Sequence, residues 1–278
     1  TDTELKDIIL QKQLQWIKLC QDNFLLFAKA VWPDFIYRDV EDPKKWGHHK
    51  IIANQFEKIA SGDEKRLIIN MPPRHTKSEF ASVYFPAWII GKFPKMKIMQ
   101  VSHNTELAVR FGSKVRNIID SPEYKQIFGN VKLREDSKAK GRWETNHGGE
   151  YYAAGVGASI TGRGADLLII DDPHSEQDAL SPTAMESAYE WYTSGPRQRL
   201  QPGGKIVMVM TRWSTKDLTG KLIQNQKEPK ADQWHVVEFP AIMDHGSRPK
   251  PVWPEYWDLE ELEKVQATLP VSKWNAQW

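Results

Sequence analysis

The hydrophobic pattern changes character near Arg66. Upstream, Leu5, Ile8, Ile9, Leu14, Ile17 and Leu19 recur at helical spacing, followed by a second set, Phe24, Leu25, Phe27 and Ala28. These predict helix across residues 4–30, broken at Trp32-Pro33 because the residue before a proline disfavours helical backbone. Residues 38–50 are polar and contain one proline, which reads as a loop. A helix from His49 to Ala60 should stop at Ser61-Gly62-Asp63. From Arg66 onward, short apolar runs alternate with helical stretches. Strands are predicted at 66–70, 97–102, 167–170, 205–210 and 234–239, and helices at 77–90, 105–120, 183–193, 215–226 and 259–269. Gly148-Gly149 suggests a hairpin turn between residues 143–145 and 150–155. Runs that are apolar throughout and separated by helices predict an α/β fold with a mostly parallel sheet covered on both faces. Ligands of such sheets sit beyond the carboxyl ends of the strands, so the loops after the strands are where chemistry is expected.

Composition narrows this picture without redirecting it. The 278 residues carry 38 Lys+Arg against 36 Asp+Glu, a net charge of +2. That argues against a constitutive histone-like DNA binder, yet leaves room for a local basic face. Cys20 is the single cysteine, so no intrachain disulfide can form, no thiolate-rich metal site is available, and a reducing compartment fits. No apolar run reaches the length of about 18 residues needed to cross a membrane, and the polar N-terminus resembles no signal peptide. A start at Thr1 rather than Met points to processing or trimming.

The first strand runs into Asn70-Met-Pro-Pro-Arg-His-Thr-Lys-Ser78, which opens a helix. This is the context of a phosphate-binding loop, where backbone N–H groups and the helix N-terminus face phosphates, a lysine neutralises charge and a hydroxyl binds Mg²⁺. Lys77 and Ser78 supply the last two parts, and Arg74 adds a forked donor suited to phosphate oxygens. Both glycines of GxxxxGK[ST] are replaced, by Met71 and Thr76, so a capped helix behind a rigid Pro-Pro turn is the competing reading. The most apolar strand ends in Asp171-Asp172-Pro173 and looks like a Walker B element. One carboxylate can hold Mg²⁺ and its neighbour can activate water; an Asp-Asp-Pro turn is the plainer alternative. Glu176 is a second candidate for the water-activating base.

Two further loops follow strands or precede them. Thr211-Arg212-Trp213 could sense a γ-phosphate, or be a surface arginine beside a packing tryptophan. Arg163 lies between Gly162 and Gly164, which suits either an arginine finger offered to a neighbouring subunit or an anion- or DNA-contacting loop. Trp46 could stack on a nucleotide base and His49 could bond its edge, with core packing as the alternative for Trp46. The His48-His49 pair lacks partners at zinc-ligand spacing. Lys44-Lys45 and the lysines of 92–97 read as solvated faces.

Taken in order, Met71-Pro-Pro-Arg-His-Thr-Lys-Ser78, the run from Thr161-Gly-Arg-Gly to Asp171-Asp172-Pro173, and Met210-Thr-Arg-Trp213 resemble the N-terminal ATPase domain of tailed-bacteriophage terminase large subunits, the motors that package viral DNA. The resemblance covers roughly Trp46 to Trp278. It implies an ASCE-type, RecA-like P-loop NTPase fold, with a helical segment over 1–45, an ATPase core over 46–245 and a flank over 246–278. It implies ATP and Mg²⁺ as cofactors and ATP-driven translocation of double-stranded DNA. Implied partners are the portal protein, the small terminase subunit and further copies of the chain. The copies form a homo-oligomeric ring, by expectation a pentamer, with a monomer as the alternative in isolation. The place of action would be the cytoplasm of an infected bacterial host.

By position, Lys77, Arg74, His75 and Thr76 would line the phosphates and Ser78 and Asp171 would hold Mg²⁺. Asp172 or Glu176 would activate water, Thr211 would couple, Arg163 would act in trans, and Trp46 and His49 would flank the base. Thr76 in place of glycine should narrow the loop or change its path, and Asp172 in place of glutamate leaves the base open between two residues. Residues 274–278 resemble the linker before the family's nuclease domain, so DNA cleavage is not expected of this chain. A helicase-type DNA-dependent ATPase, and a non-catalytic DNA-binding or capsid module with a degenerate nucleotide loop, are the alternatives.

Overall fold

The structure is a computed structural model that describes residues 2–38, 47–160, 162–244 and 249–278. The chain opens with helices α1 (Asp2–Asp22), α2 (Phe24–Val31) and α3 (His48–Ser61), then β1 (Arg66–Asn70). Helix α4 (Lys77–Glu79) continues through a π-helical turn (Phe80–Tyr84) into α5 (Phe85–Lys92). Next come β2 (Lys97–Ser102), α6 (Thr105–Ile119), α7 (Pro122–Ile127) and the strands β3 (Leu133–Ala139), β4 (Arg142–Thr145) and β5 (Glu150–Gly155). After β6 (Ala165–Asp171) follow α8 (Glu176–Ala179), α9 (Pro182–Ser194), β7 (Leu200–Met210) and α10 (Leu218–Asn225). The chain closes with β8 (His235–Glu238), β9 (Ile242–Asp244), β10 (Pro249–Pro251), α11 (Leu259–Thr268) and α12 (Val271–Gln277).

Eight strands form one sheet in the order β3-β4-β5-β2-β6-β7-β1-β8. Strands β5, β2, β6, β7, β1 and β8 are parallel, and β3 and β4 add an antiparallel edge, with Gly148 at φ 84° in the β4–β5 turn. The fold is therefore α/β with a mostly parallel sheet, as the alternating pattern predicts. Strand β7 lies between β1, which leads into the Lys77 loop, and β6, which ends at Asp171. That inserted strand is the order an ASCE-type, RecA-like fold requires. Alternate residues feed the two sides of the sheet. Leu67, Ile69, Leu167, Ile169, Val207 and Val209 join one apolar cluster, and Ile68, Leu168, Ile170, Ile206, Met208 and Met210 the other. The first cluster also contains Cys20, Phe24, Phe27, Val252 and Trp253, so both ends of the chain share the core of the sheet.

The predicted helix over 4–30 divides at Asn23, whose side chain accepts from Leu26 N–H at 2.8 Å and caps α2. The periodicity finds helix but not burial. Leu5, Ile8, Ile9, Leu14 and Leu19 are all exposed, and α1 meets the core only near its end, at Cys20. Phe24, in contrast, is fully buried edge-on to Phe56, Phe80 and Trp88, with ring centroids 5.2, 5.6 and 5.7 Å away. Ile9→Gln should change the free energy of unfolding by less than about 0.5 kcal/mol. Phe24→Ala should cost about 3–5 kcal/mol. Urea titrations of the two variants check this, and equal effects would contradict the assigned burial.

Candidate functional site

The carboxyl ends of β1, β2, β6 and β7 converge, and the predicted chemistry falls mainly there. The loop leaving β1 stays bonded to the sheet, since Met71 N–H donates to Met210 O at 3.1 Å. It then turns through Arg74 at φ 61° and Thr76 at φ 74°, both left-handed. The path that a glycine before the lysine would allow is therefore kept by a β-branched residue, for which such backbone is strained. Thr76 Oγ1 donates to His75 O and lies 2.9 Å from His49 Nε2. His49 Nδ1 accepts from Arg38 N–H at 2.8 Å. The Nε2 of a neutral ring must then carry the proton and donate to Thr76.

Lys77 Nζ lies 3.1 Å from Asp172 Oδ2 and is almost fully buried. Ser78 Oγ donates to Asp171 Oδ1 at 2.9 Å, and Ser82 Oγ, on the π-helical turn, donates to Asp171 Oδ2 at 2.6 Å. Gln100 Nε2 supports Ser82 Oγ at 3.1 Å. Burial, and next the Asp172 carboxylate, push Asp171 up to about 7, while Lys77 and the two hydroxyls pull it down. Asp172 adopts left-handed backbone at φ 42°. Its Oδ1 accepts from Thr211 N–H at 2.8 Å, and its carbonyl accepts from His103 N–H at 3.1 Å. Thr211 Oγ1 donates to Met71 O at 3.4 Å, so Thr211 touches both Asp172 and the start of the loop.

A divalent cation fits beside Ser78 and Asp171. The donors are hard oxygens, and a second positive charge would offset the burial of Asp171 beside the Asp172 carboxylate. Beside the ends of β1, β7 and β8 lies a cleft of about 610 Å³ lined by Met71, Arg212, Trp213, Glu238 and Trp278, and none of Lys77, Ser78, Asp171, Asp172 and Thr211 lines it.

Not every predicted residue joins this cluster. His49 is fully buried with both ring nitrogens bonded inside the protein, so it has no edge to offer a base. His75 is buried too, its Nδ1 on Pro73 O at 2.8 Å and its ring 6.0 Å from that of Trp257, behind the loop rather than on its phosphate side. Trp46 and Thr161 lie outside the described residues, as do Lys44 and Lys45. Arg74 is exposed on the turn. Glu176 is exposed and paired with Lys273 on α12. Arg163 precedes the amino end of β6, its guanidinium 4.3 Å over the Tyr152 ring. Its backbone stands before the seven residues of β6, which span about 20 Å up to Asp171. Arg212 is held by Asp217 at 2.9 Å and Ser214 O at 3.0 Å, so it is part of a fixed turn rather than a free cation.

Several participants escape a reading of the sequence. Gln100 leaves a signal, a polar side chain in the middle of a buried strand. Ser82 leaves a weaker one, four residues past Ser78 on the same helical run. His103 leaves none, and Asp217, which accepts from Arg212 Nε and from the Trp213, Ser214 and Gly220 N–H groups, leaves only that of a helix cap.

Over 134 residues the chain is 26% identical to the terminase large subunit of Enterobacteria phage T3, a match covering 47% of this chain and 23% of that protein. The chain resembles a phage terminase large subunit. It spans less than a quarter of the length of that relative. No family model matches. Among solved structures, the large terminase of a thermophilic bacteriophage in complex with ADP aligns with a TM-score of 0.48 at 13% identity, over 78% of this chain and 50% of that one. The large terminase of bacteriophage HK97 aligns with a TM-score of 0.43 at 14% identity, over 79% and 45%. The same thermophilic phage's large terminase in complex with ATP-gamma-S gives 0.47 at 12%, over 78% and 49%.

The site makes stability depend on pH in two opposed ways. Burial is the main cause holding His48 down to about 3, His75 down to about 4 and His49 well below the ordinary range. The unfolded chain takes up these protons first as pH falls through about 6.5, so their contribution is lost on acidification. Asp171 has the opposite sign, because its raised value holds the proton in the fold and returns stability between about 7 and 4. His48 and His75 each lose about 2 kcal/mol on this account, His49 acts in the same direction, and the Asp171 carboxyl offsets about 2, so stability should be lower at pH 5 than at pH 7. Urea titrations at the two pH values test it, and unchanged or higher stability at pH 5 would contradict it.

Proposed function

We propose that the chain binds and hydrolyses ATP as the motor domain of a phage large terminase, moving double-stranded DNA into a procapsid. One observation carries this reading. A lysine, two serines, two adjacent aspartates and a threonine meet where three neighbouring parallel strands end. Lys77 and the left-handed loop would hold the β- and γ-phosphates. Ser78 and Asp171 would hold Mg²⁺, whose charge stabilises the negative phosphoryl oxygens. A phosphate at the loop competes with Asp172 Oδ2 for the Lys77 ammonium. Asp172 Oδ1 stays fixed by the Thr211 amide, so the released oxygen can take a proton from an attacking water. The exposed pairing of Glu176 with Lys273 favours Asp172 as that base.

Thr211 bridges Asp172 to Met71, so loss of the γ-phosphate at Lys77 would be felt by β6, β7 and the loop together. Arg163 leaves the backbone at the amino end of β6, the end opposite the phosphate loop of its own chain, and we assign it to a neighbouring copy's phosphates in a ring, pentameric by expectation. In this reading the ring sits on the portal protein with the small terminase subunit, in the host cytoplasm.

Lys77→Ala should lower ATP turnover at least about a hundredfold with an unchanged circular dichroism spectrum. A folded variant with full turnover would overturn the site. Arg163→Ala should leave the nucleotide Kd of the monomer unchanged and remove turnover from the assembled ring. Strongly weakened monomer binding would place that arginine in cis.

A further inference from the structure

We propose that His49 is a positioning residue for the phosphate loop, clamping Thr76 in the left-handed backbone that a glycine would otherwise supply. The inference rests on the nucleotide reading for its effect on binding, but its geometry stands apart. Threonine at φ 74° is strained because its branched Cβ crowds the backbone. Such a conformation persists only where the surroundings fix it. Here the surroundings are a directed chain of three hydrogen bonds. Arg38 N–H donates to His49 Nδ1, His49 Nε2–H donates to Thr76 Oγ1, and Thr76 O–H donates to His75 O. His49 and Thr76 each donate one hydrogen bond and accept one, between a backbone N–H that can only donate and a carbonyl that can only accept, so the order has a single consistent direction.

The ring itself cannot turn away. Phe80 and Trp253 lie with ring centroids 5.0 Å from it and Phe35 at 5.4 Å, and His48 is 3.9 Å away. The side chain is fully buried, which keeps the imidazole neutral and able to accept at Nδ1. The hydroxyl that makes threonine awkward as a glycine substitute is thus the handle by which the fold holds it. Serine or threonine is needed at this position for the clamp, and glycine would make the clamp unnecessary. The backbone N–H groups of Lys77 and Ser78 follow directly from Thr76, so their aim depends on its φ.

The test is a double-mutant cycle on the whole chain with two readouts. His49→Phe keeps the ring volume in the aromatic cluster and removes both nitrogens, and His49→Gln restores a donor near the Nε2 position. Calorimetry with Mg²⁺ and ATP gives the Kd, and hydrogen exchange gives protection of the amides of residues 74–78. His49→Phe should weaken binding about tenfold and speed exchange in the Thr76 protein. The same change in a Thr76→Gly background should alter Kd by less than about twofold, the ordinary limit of additivity. His49→Gln should recover most of the affinity. An equal loss in both backgrounds, or no recovery with glutamine, would overturn the clamp. If the unaltered chain binds no ATP while His49→Phe speeds loop exchange only when Thr76 is present, the nucleotide reading falls and the clamp stands.

Discussion

Two carboxylates side by side at the end of a buried strand are the constraint around which the site is arranged. Asp171 is fully buried, and Asp172 stands beside it. An isolated buried charge is costly, so the neighbourhood is built to satisfy both. Ser78 and Ser82 donate to one, and Lys77 and the Thr211 amide to the other. These donors come from the helix after β1 and from the end of β7, which explains why the two strands flanking the site must terminate at the same level. The parallel register supplies that level, pairing Asn70 with Met210 and Asp171 with Val209.

The π-helical turn belongs to the same solution. It carries Ser82 along the helix that Lys77 opens and directs the hydroxyl toward Asp171. Gln100, bonded to that hydroxyl from β2, closes a polar path inside an otherwise apolar layer. The loop is stiffened from behind as well. His75 lies against Trp257 and Trp278, and Arg38 pairs with Glu255, so the C-terminal flank packs against the loop.

How much of this is legible in the sequence depends on how local each signal is. The strands and the loops after them can be read because a buried parallel strand is a bare apolar run and chemistry follows its end. Lys77, Ser78, Asp171, Asp172 and Thr211 are found that way, and they do meet. Residues whose role comes from a distant partner are misread or invisible. His49 looks like a ligand for a base because its spacing from the loop says nothing of Thr76 Oγ1 or Arg38 N–H. The stripe on α1 predicts helix, and its exposure is not legible because periodicity records amphipathic character and not what covers it. Glu176 stands close in sequence to the acidic pair, but the capped turn at Ser175 sends it toward Lys273. Asp217 signals a helix start and nothing more, since its bonds to Arg212, Trp213 and Ser214 are assembled only by the turn it caps.

The placement of Arg163 has a mechanical consequence. Strand β6 is bonded along its length to β2 on one side and β7 on the other, and both of its faces are packed. A strand held in this way behaves as a stiff rod, because extending it would break ladders on two sides at once. Any axial displacement at Asp171 therefore reappears undiminished at Ala165, about 20 Å away. There the stiffness ends. Gly162 at φ 76° and Gly164 flank Arg163, so the motion of the rod passes into a hinge that bears a single cation on an aromatic face. One strand thus links the interior of the site to an arginine-bearing loop at the opposite end of the sheet.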